Sequence, residues 1–147
     1  MLETPHVALG AAIAVSIPNP LISIPLAFAS HFILDMVPHW NPHINTEMKT
    51  YGKLTKPTLL IIGIDLVLAI TLTIFVAGTN PYIYLAAFMS ILPDVAEGPY
   101  FIFGFRSKYL DVILRFQRSI QAEANVFWGL ITQVITIITS LYWIFAK

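Results

Sequence analysis

Long apolar runs alternate with two polar stretches along this chain. Pro5 to Ile17 is apolar and rich in Ala. As helix it measures about 20 Å at 1.5 Å per residue, short against a bilayer core of about 30 Å. Pro18-Asn19-Pro20 ends it, because neither proline brings the N–H that a continuing helix needs. Leu21 to Val37 follows and stops at Pro38. These two runs predict a tight hairpin of short helices. Pro57 to Ala77 predicts a long helix, closed by Gly78-Thr79-Asn80. Pro81 to Phe103 predicts another, interrupted at Pro93, and Ala124 to Ala146 predicts the last. Asn41 to Lys56 is polar and reads as a loop. In Gly104 to Gln121, Tyr109, Leu110, Ile113, Leu114, Phe116 and Ile120 interleave with Arg106, Lys108, Asp111, Arg115 and Arg118. That pattern predicts an amphipathic helix lying at a membrane interface.

Composition turns these runs into a membrane class. The 147 residues are 57% hydrophobic and 11% charged, less than half the roughly 25% charge of a soluble domain. The expected fold is all-α. It is a single membrane-embedded domain over residues 1–147: a polytopic bundle of about five membrane helices plus the amphipathic one. Zero net charge offers no basic footprint for nucleic acid. The lack of Cys excludes thiolate metal sites and Cys nucleophiles. No Lys or Arg precedes the first apolar run, so it is not read as a signal peptide. Lys49, Lys53 and Lys56 lie in one polar stretch and Arg106, Lys108, Arg115 and Arg118 in the other. The positive-inside bias places both stretches in the cytoplasm, with the N-terminus inside and the C-terminus outside.

Every Lys and Arg lies outside the apolar segments, whereas Asp35, Asp65, Asp94 and Glu97 lie inside or at the end of them. Each such acid costs roughly 2.5–3.5 kcal/mol on insertion scales. Compensation is left to histidine, a metal ion or protonation. With the cytoplasmic boundary near Val37 and Pro57, His31 lies about 9 Å deep and Asp65 about 12 Å. Asp94 lies about 10 Å from the same boundary, and His6 begins the first segment from that side. Residues of four segments therefore share one layer. His31 and Asp35, four apart, share a helix face, as do Asp94 and Glu97, three apart. His39 and His43 follow the second segment. Imidazole and carboxylate without thiolate suit Zn²⁺, Mn²⁺ or Fe²⁺, as one ion or two.

Three short strings carry a resemblance: Thr4-Pro5-His6 with Gly10, Ser30-His31-Phe32-Ile33-Leu34-Asp35 with Pro38-His39-Trp40, and Leu92-Pro93-Asp94. They resemble the YdjM-like family of inner-membrane metal-dependent hydrolases, remotely related to zinc-dependent phospholipase C and P1 nuclease. The resemblance covers about a third of the chain. Here Leu-Pro-Asp follows the Ser-His-x-x-Leu-Asp helix, whereas in the family it usually precedes it. The family's His-Arg-x-x-Thr-His-Ser stretch is absent, and Ala96 stands where a second acid belongs. The resemblance implies an inner-membrane location and makes His6, His31, Asp35 and Asp94 metal ligands.

The leading expectation is a metal-dependent phosphoesterase acting on a membrane-lipid headgroup, with zinc as the first candidate metal. Asp65 would be a further ligand. Glu97 or His39, beside the site and near water, would be general base or acid. Lys49, Lys53, Lys56, Arg106 and Lys108 would attract an anionic headgroup. A small ion-coupled carrier is the alternative from intramembrane acids and broken helices. A non-catalytic metal-binding membrane protein is the third.

Overall fold

A computed structural model describes residues 1–146; Lys147, counted above among the basic residues, lies outside them. The described residues form seven helices and no strand. They are α1 (Glu3–Ser16), α2 (Pro20–Asp35), α3 (Ile44–Tyr51), α4 (Lys56–Ala77), α5 (Pro81–Phe103), α6 (Lys108–Ile120) and α7 (Val126–Phe145). The helix starts follow local chemistry. Pro stands in the first turn of α2, α4 and α5, where its missing N–H has no partner to lose. Asn19, Asn80, Ser107 and Asn125 accept with their side chains from the first-turn N–H groups of α2, α5, α6 and α7.

Two expectations change. The polar stretch after Pro42 is not all loop: α3 forms there and closes on Gly52 at φ +67°, a left-handed conformation that favours glycine. Glu47, in its first turn, accepts from the backbone N–H and hydroxyl of Thr55 and the hydroxyl of Thr58, pinning α3 to the start of α4. Further on, α5 is not interrupted at Pro93 but runs continuously through Pro93 and Pro99.

The central element is α1, which packs against α2, α4, α5 and α7. Its buried face is made of small residues, Ala8, Gly10, Ala11, Ala12 and Ala14, and small residues let helix backbones approach closely. A Cβ placed on Gly10 would lie 2.7 Å from Ser90 Oγ and 3.0 Å from the Ala86 carbonyl. Only glycine permits this crossing of α1 and α5. A second close approach seats Gly129 of α7 on the backbone of His39 and Trp40. There Gln133 Nε2–H donates to the Trp40 carbonyl at 2.9 Å, and the Leu2 N–H donates to Gln133 Oε1 at 3.0 Å.

Polarity is inverted relative to a soluble domain. His6, His31, Asp35 and Ser90 are fully buried, while Leu60, Val67, Phe75, Phe127, Ile138 and Tyr142 are exposed. Two helices, α4 with 22 residues and α7 with 20, are long and apolar enough to cross a membrane. At about 1.5 Å per residue they measure roughly 30–33 Å. The pair α1 and α2, with 14 and 16 residues, makes the short hairpin around Pro18-Asn19-Pro20. The amphipathic helix α6 forms as expected and buries Leu110, Leu114 and Gln117.

Candidate metal centre

Four helices deliver polar side chains to one buried point. His6 comes from the first turns of α1, His31 and Asp35 from the last turns of α2, Asp94 from the middle of α5 and Gln117 from α6. His6 Nε2 lies 3.4 Å from Asp35 Oδ1. His31 Nε2 lies 3.5 Å from Asp35 Oδ2 and 3.5 Å from Asp94 Oδ1. The His6 and His31 rings stack with centroids 4.2 Å apart. One donor atom each from His6, His31 and Asp94 lies within 4.8 Å of the other two. Ligand atoms at 2.0–2.2 Å around a tetrahedral ion stand about 3.3–3.6 Å from one another, and the 3.5 Å between His31 Nε2 and Asp94 Oδ1 is such a spacing. Asp35 borders this group, meeting His6 and His31 through different oxygens.

The hydrogen bonding is incomplete in the way a cation would complete it. Both ring nitrogens of His6 are buried without a hydrogen-bond partner. Both partners of His31 are acceptors, the Ser90 carbonyl at Nδ1 (2.8 Å) and Gln117 Oε1 at Nε2 (3.1 Å). A neutral imidazole carries one N–H and satisfies only one of them. Among the described residues no Lys or Arg pairs with Asp35 or Asp94; the nearest cation is the Met1 nitrogen, 2.5 Å from Asp35 Oδ1. Gln121 also donates to Asp35 Oδ2, at 3.4 Å. Buried carboxylates need such compensation, because desolvation of an unpaired charge is costly. The donor set of imidazole and carboxylate fits a divalent metal.

Of the other expected site residues, His39 and Glu97 border the cluster, whereas Asp65 and His43 sit elsewhere. Asp65 is not brought to the cluster. Its Oδ2 accepts from the Glu3 N–H at 2.5 Å and its Oδ1 from the Thr4 N–H at 3.2 Å and the Thr4 hydroxyl at 2.6 Å. It caps the start of α1, where the unpaired N–H groups and the positive helix end favour a carboxylate. His39 and Glu97 are 1% and 8% exposed, not at the water side where they were expected. His39 Nε2 stands 3.9 Å from Asp35 Oδ1, while its Nδ1–H donates to the Val37 carbonyl at 2.7 Å. Burial pushes the His39 imidazole below its ordinary value, and the Met1 ammonium adds to this. Glu97 lies behind Gln117, whose Nε2–H donates to it at 2.9 Å. His43 is exposed at the start of α3.

Two cluster residues escape the sequence reading. Gln117 carries no charge and sits on a helix read as surface. Glu3 lies beside Asp94 and keeps Oε2 buried without a partner. Its three-residue spacing to His6, which sets both on one helix face, was the available signal. The chain matches no known protein family, no curated protein and no solved structure.

Proposed function

We propose that this chain is a multi-pass protein of the inner membrane that uses a divalent metal to hydrolyse a phosphoester of an anionic lipid headgroup at the cytoplasmic face. In this reading the short hairpin α1–α2 and the helices α4, α5 and α7 lie in the bilayer. The exposed Leu, Ile, Val and Phe side chains of α4 and α7 are what lipid contact calls for. The lysines of the α3 region and the basic residues of α6 lie on the cytoplasmic side.

The observation that carries the metal assignment is His6, fully buried with two unpartnered ring nitrogens, 3.4 Å from an equally buried carboxylate. His6, His31, Asp35 and Asp94 would hold the ion, zinc first and manganese or iron as alternatives, as one ion or two. Such an ion polarises a phosphoryl oxygen and lowers the pKa of water. The protein's own residues set the rest. Asp65 fixes the start of α1 and with it His6. The Ser90 carbonyl orients the His31 ring, as an outer partner orients a ligating imidazole. Asp94 has 22% of its side chain exposed, against 0% for His6, His31 and Asp35, so substrate reaches the cluster from the Asp94 side. His39 is the nearest further base.

Metal analysis of the purified protein, followed by hydrolysis of vesicle phospholipids, tests this. Wild type is expected to carry metal and release headgroup. Asp35→Ala and Asp94→Ala are expected to lose both. A metal-free protein that is active, or either variant working at the wild-type rate, refutes the hydrolase. A second reading, a closed structural metal clamp, is favoured by the complete burial of His6, His31 and Asp35. Bound metal with no turnover of any phospholipid supports it.

A further inference from the structure

We propose that Gln117 is an oxygen ligand of the same ion, so that ion binding and the docking of α6 are linked; this rests on the metal reading above. Gln117 is 1% exposed and shares a helix face with Leu110 and Leu114. Two bonds orient its amide: Nε2–H donates to Glu97 Oε1 at 2.9 Å and to the Pro93 carbonyl at 3.1 Å. Turning the amide over would set its oxygen against two acceptors. Oε1 is therefore held toward the cluster, 3.1 Å from His31 Nε2.

The shorter contact of His31, 2.8 Å from Nδ1 to the Ser90 carbonyl, takes the single ring proton. That leaves the lone pair of Nε2 facing the lone pair of Gln117 Oε1. Asp35 Oδ2 and Asp94 Oδ1 stand 3.5 Å from the same nitrogen. Asp35 is already met by the Met1 nitrogen at Oδ1 and by Gln121 at Oδ2, but His31 Nε2, Gln117 Oε1 and Asp94 Oδ1 still need a cation between them: a second ring proton or a metal ion. The unpartnered His6 ring, stacked on His31, favours the metal, because a proton on His31 does nothing for His6. The resulting set has two imidazole nitrogens and three oxygens, one of them a neutral amide. Added amide oxygen favours Mn²⁺ relative to a set without it.

The ligand comes from a helix otherwise held by a few contacts: Phe116 meets the Phe32 ring, and just past its end the Ala122 N–H donates to the Asp35 carbonyl. α6 rests on Tyr100 through Leu110 and Leu114, and Arg118 bonds to Asn45. Tyr109, Val112 and Phe116 remain exposed. A ligand that binds only the docked state stabilises that state, and the effect is reciprocal.

The test uses the full chain in detergent, with Mn²⁺ and Zn²⁺ titrated against a chromophoric chelator and amide hydrogen exchange followed over residues 108–120. Wild type is expected to bind metal and to slow exchange in α6 when loaded. Gln117→Leu is expected to bind at least roughly tenfold more weakly, with a larger loss for Mn²⁺, and to show no metal-dependent protection of α6. Gln117→Glu keeps an oxygen donor and is expected to retain both. Glu97→Leu leaves Gln117 in place but frees its amide, and is expected to weaken binding roughly 10–100-fold. Unchanged affinity and protection in Gln117→Leu overturn the proposal. So does loaded wild type whose α6 exchanges no more slowly. Wild type that binds neither metal overturns the metal reading itself.

Discussion

Asp65→Ala separates a structural anchor from a metal ligand at a buried acid that lies off the cluster. In the native protein its carboxylate accepts from the Glu3 N–H, the Thr4 N–H and the Thr4 hydroxyl. The alanine variant removes all three acceptor contacts and leaves two backbone donors of α1 without partners. Each orphaned buried donor costs roughly 1–3 kcal/mol. Allowing for partial relaxation, the variant is expected to lose about 3–4 kcal/mol. At 2–4 °C per kcal/mol for a chain of this size, that lowers Tm by roughly 10 °C. Asp65→Asn keeps one acceptor oxygen and is expected to lose about half as much. The assay is thermal unfolding in detergent, run with chelator and again with added metal. Loss of an anchor shows in full already with chelator, because the missing bonds do not involve the ion, and added metal restores less than in wild type. Metal affinity falls as a consequence, since His6 rides on the helix that Asp65 holds. Asp65→Ala as stable as wild type in chelator, but poorly stabilised by metal, refutes this reasoning and returns Asp65 to the ligand set.

Gly10→Ala is expected to cost about 1–3 kcal/mol through overpacking, because the new Cβ meets Ser90 Oγ at 2.7 Å and Ser90 Cβ at 2.8 Å. Adding Ser90→Gly should recover part of the lost Tm, and a double variant no better than the single one refutes the contact. At Glu47 the Thr55 N–H is the largest cause that holds the carboxyl below its ordinary value, and the Thr58 and Thr55 hydroxyls add to it. A depressed folded pKa stabilises above the ordinary value and is lost as pH falls through the folded one. Limited proteolysis between α3 and α4 is therefore expected to accelerate below about pH 4. Glu47→Gln should cleave rapidly at neutral pH and lose the pH dependence.

Much of the candidate site was legible because its parts are local. His31 and Asp35 share a face by their spacing alone, and the depth estimates put His6 and Asp94 in the same layer. Asp65 satisfied the same depth criterion and was grouped with them. An acid that caps a neighbouring helix and an acid that binds metal look alike in sequence, since both are carboxylates at one level of the bundle. Which donor they face is set by the rotation of α4 about its axis. Gln117 was invisible for a different reason. Its chemistry is ordinary for an amphipathic helix, and only the orientation of its amide by Glu97 and Pro93 gives its oxygen a direction. The helix α3 was missed because its two turns are short and mostly polar, although Ile44, Met48 and Tyr51 share one face and Gly52 just past its end is a usual stop.

The sequence by itself determined the helical class, the boundaries of α1, α2, α4, α5, α6 and α7 to within a few residues, and the separation of the two signs of charge. Those properties depend on periodicity, Pro and Gly placement and composition, all of which act over one or two turns. The tertiary structure decided which buried polar groups meet. It set Gly10 on Ser90, turned Asp65 toward the α1 terminus, and aimed His6, His31, Asp35, Asp94 and Gln117 at one point. Side-chain convergence depends on the packing distance and rotation of separate helices, and these are fixed by close contacts between residues far apart in the chain.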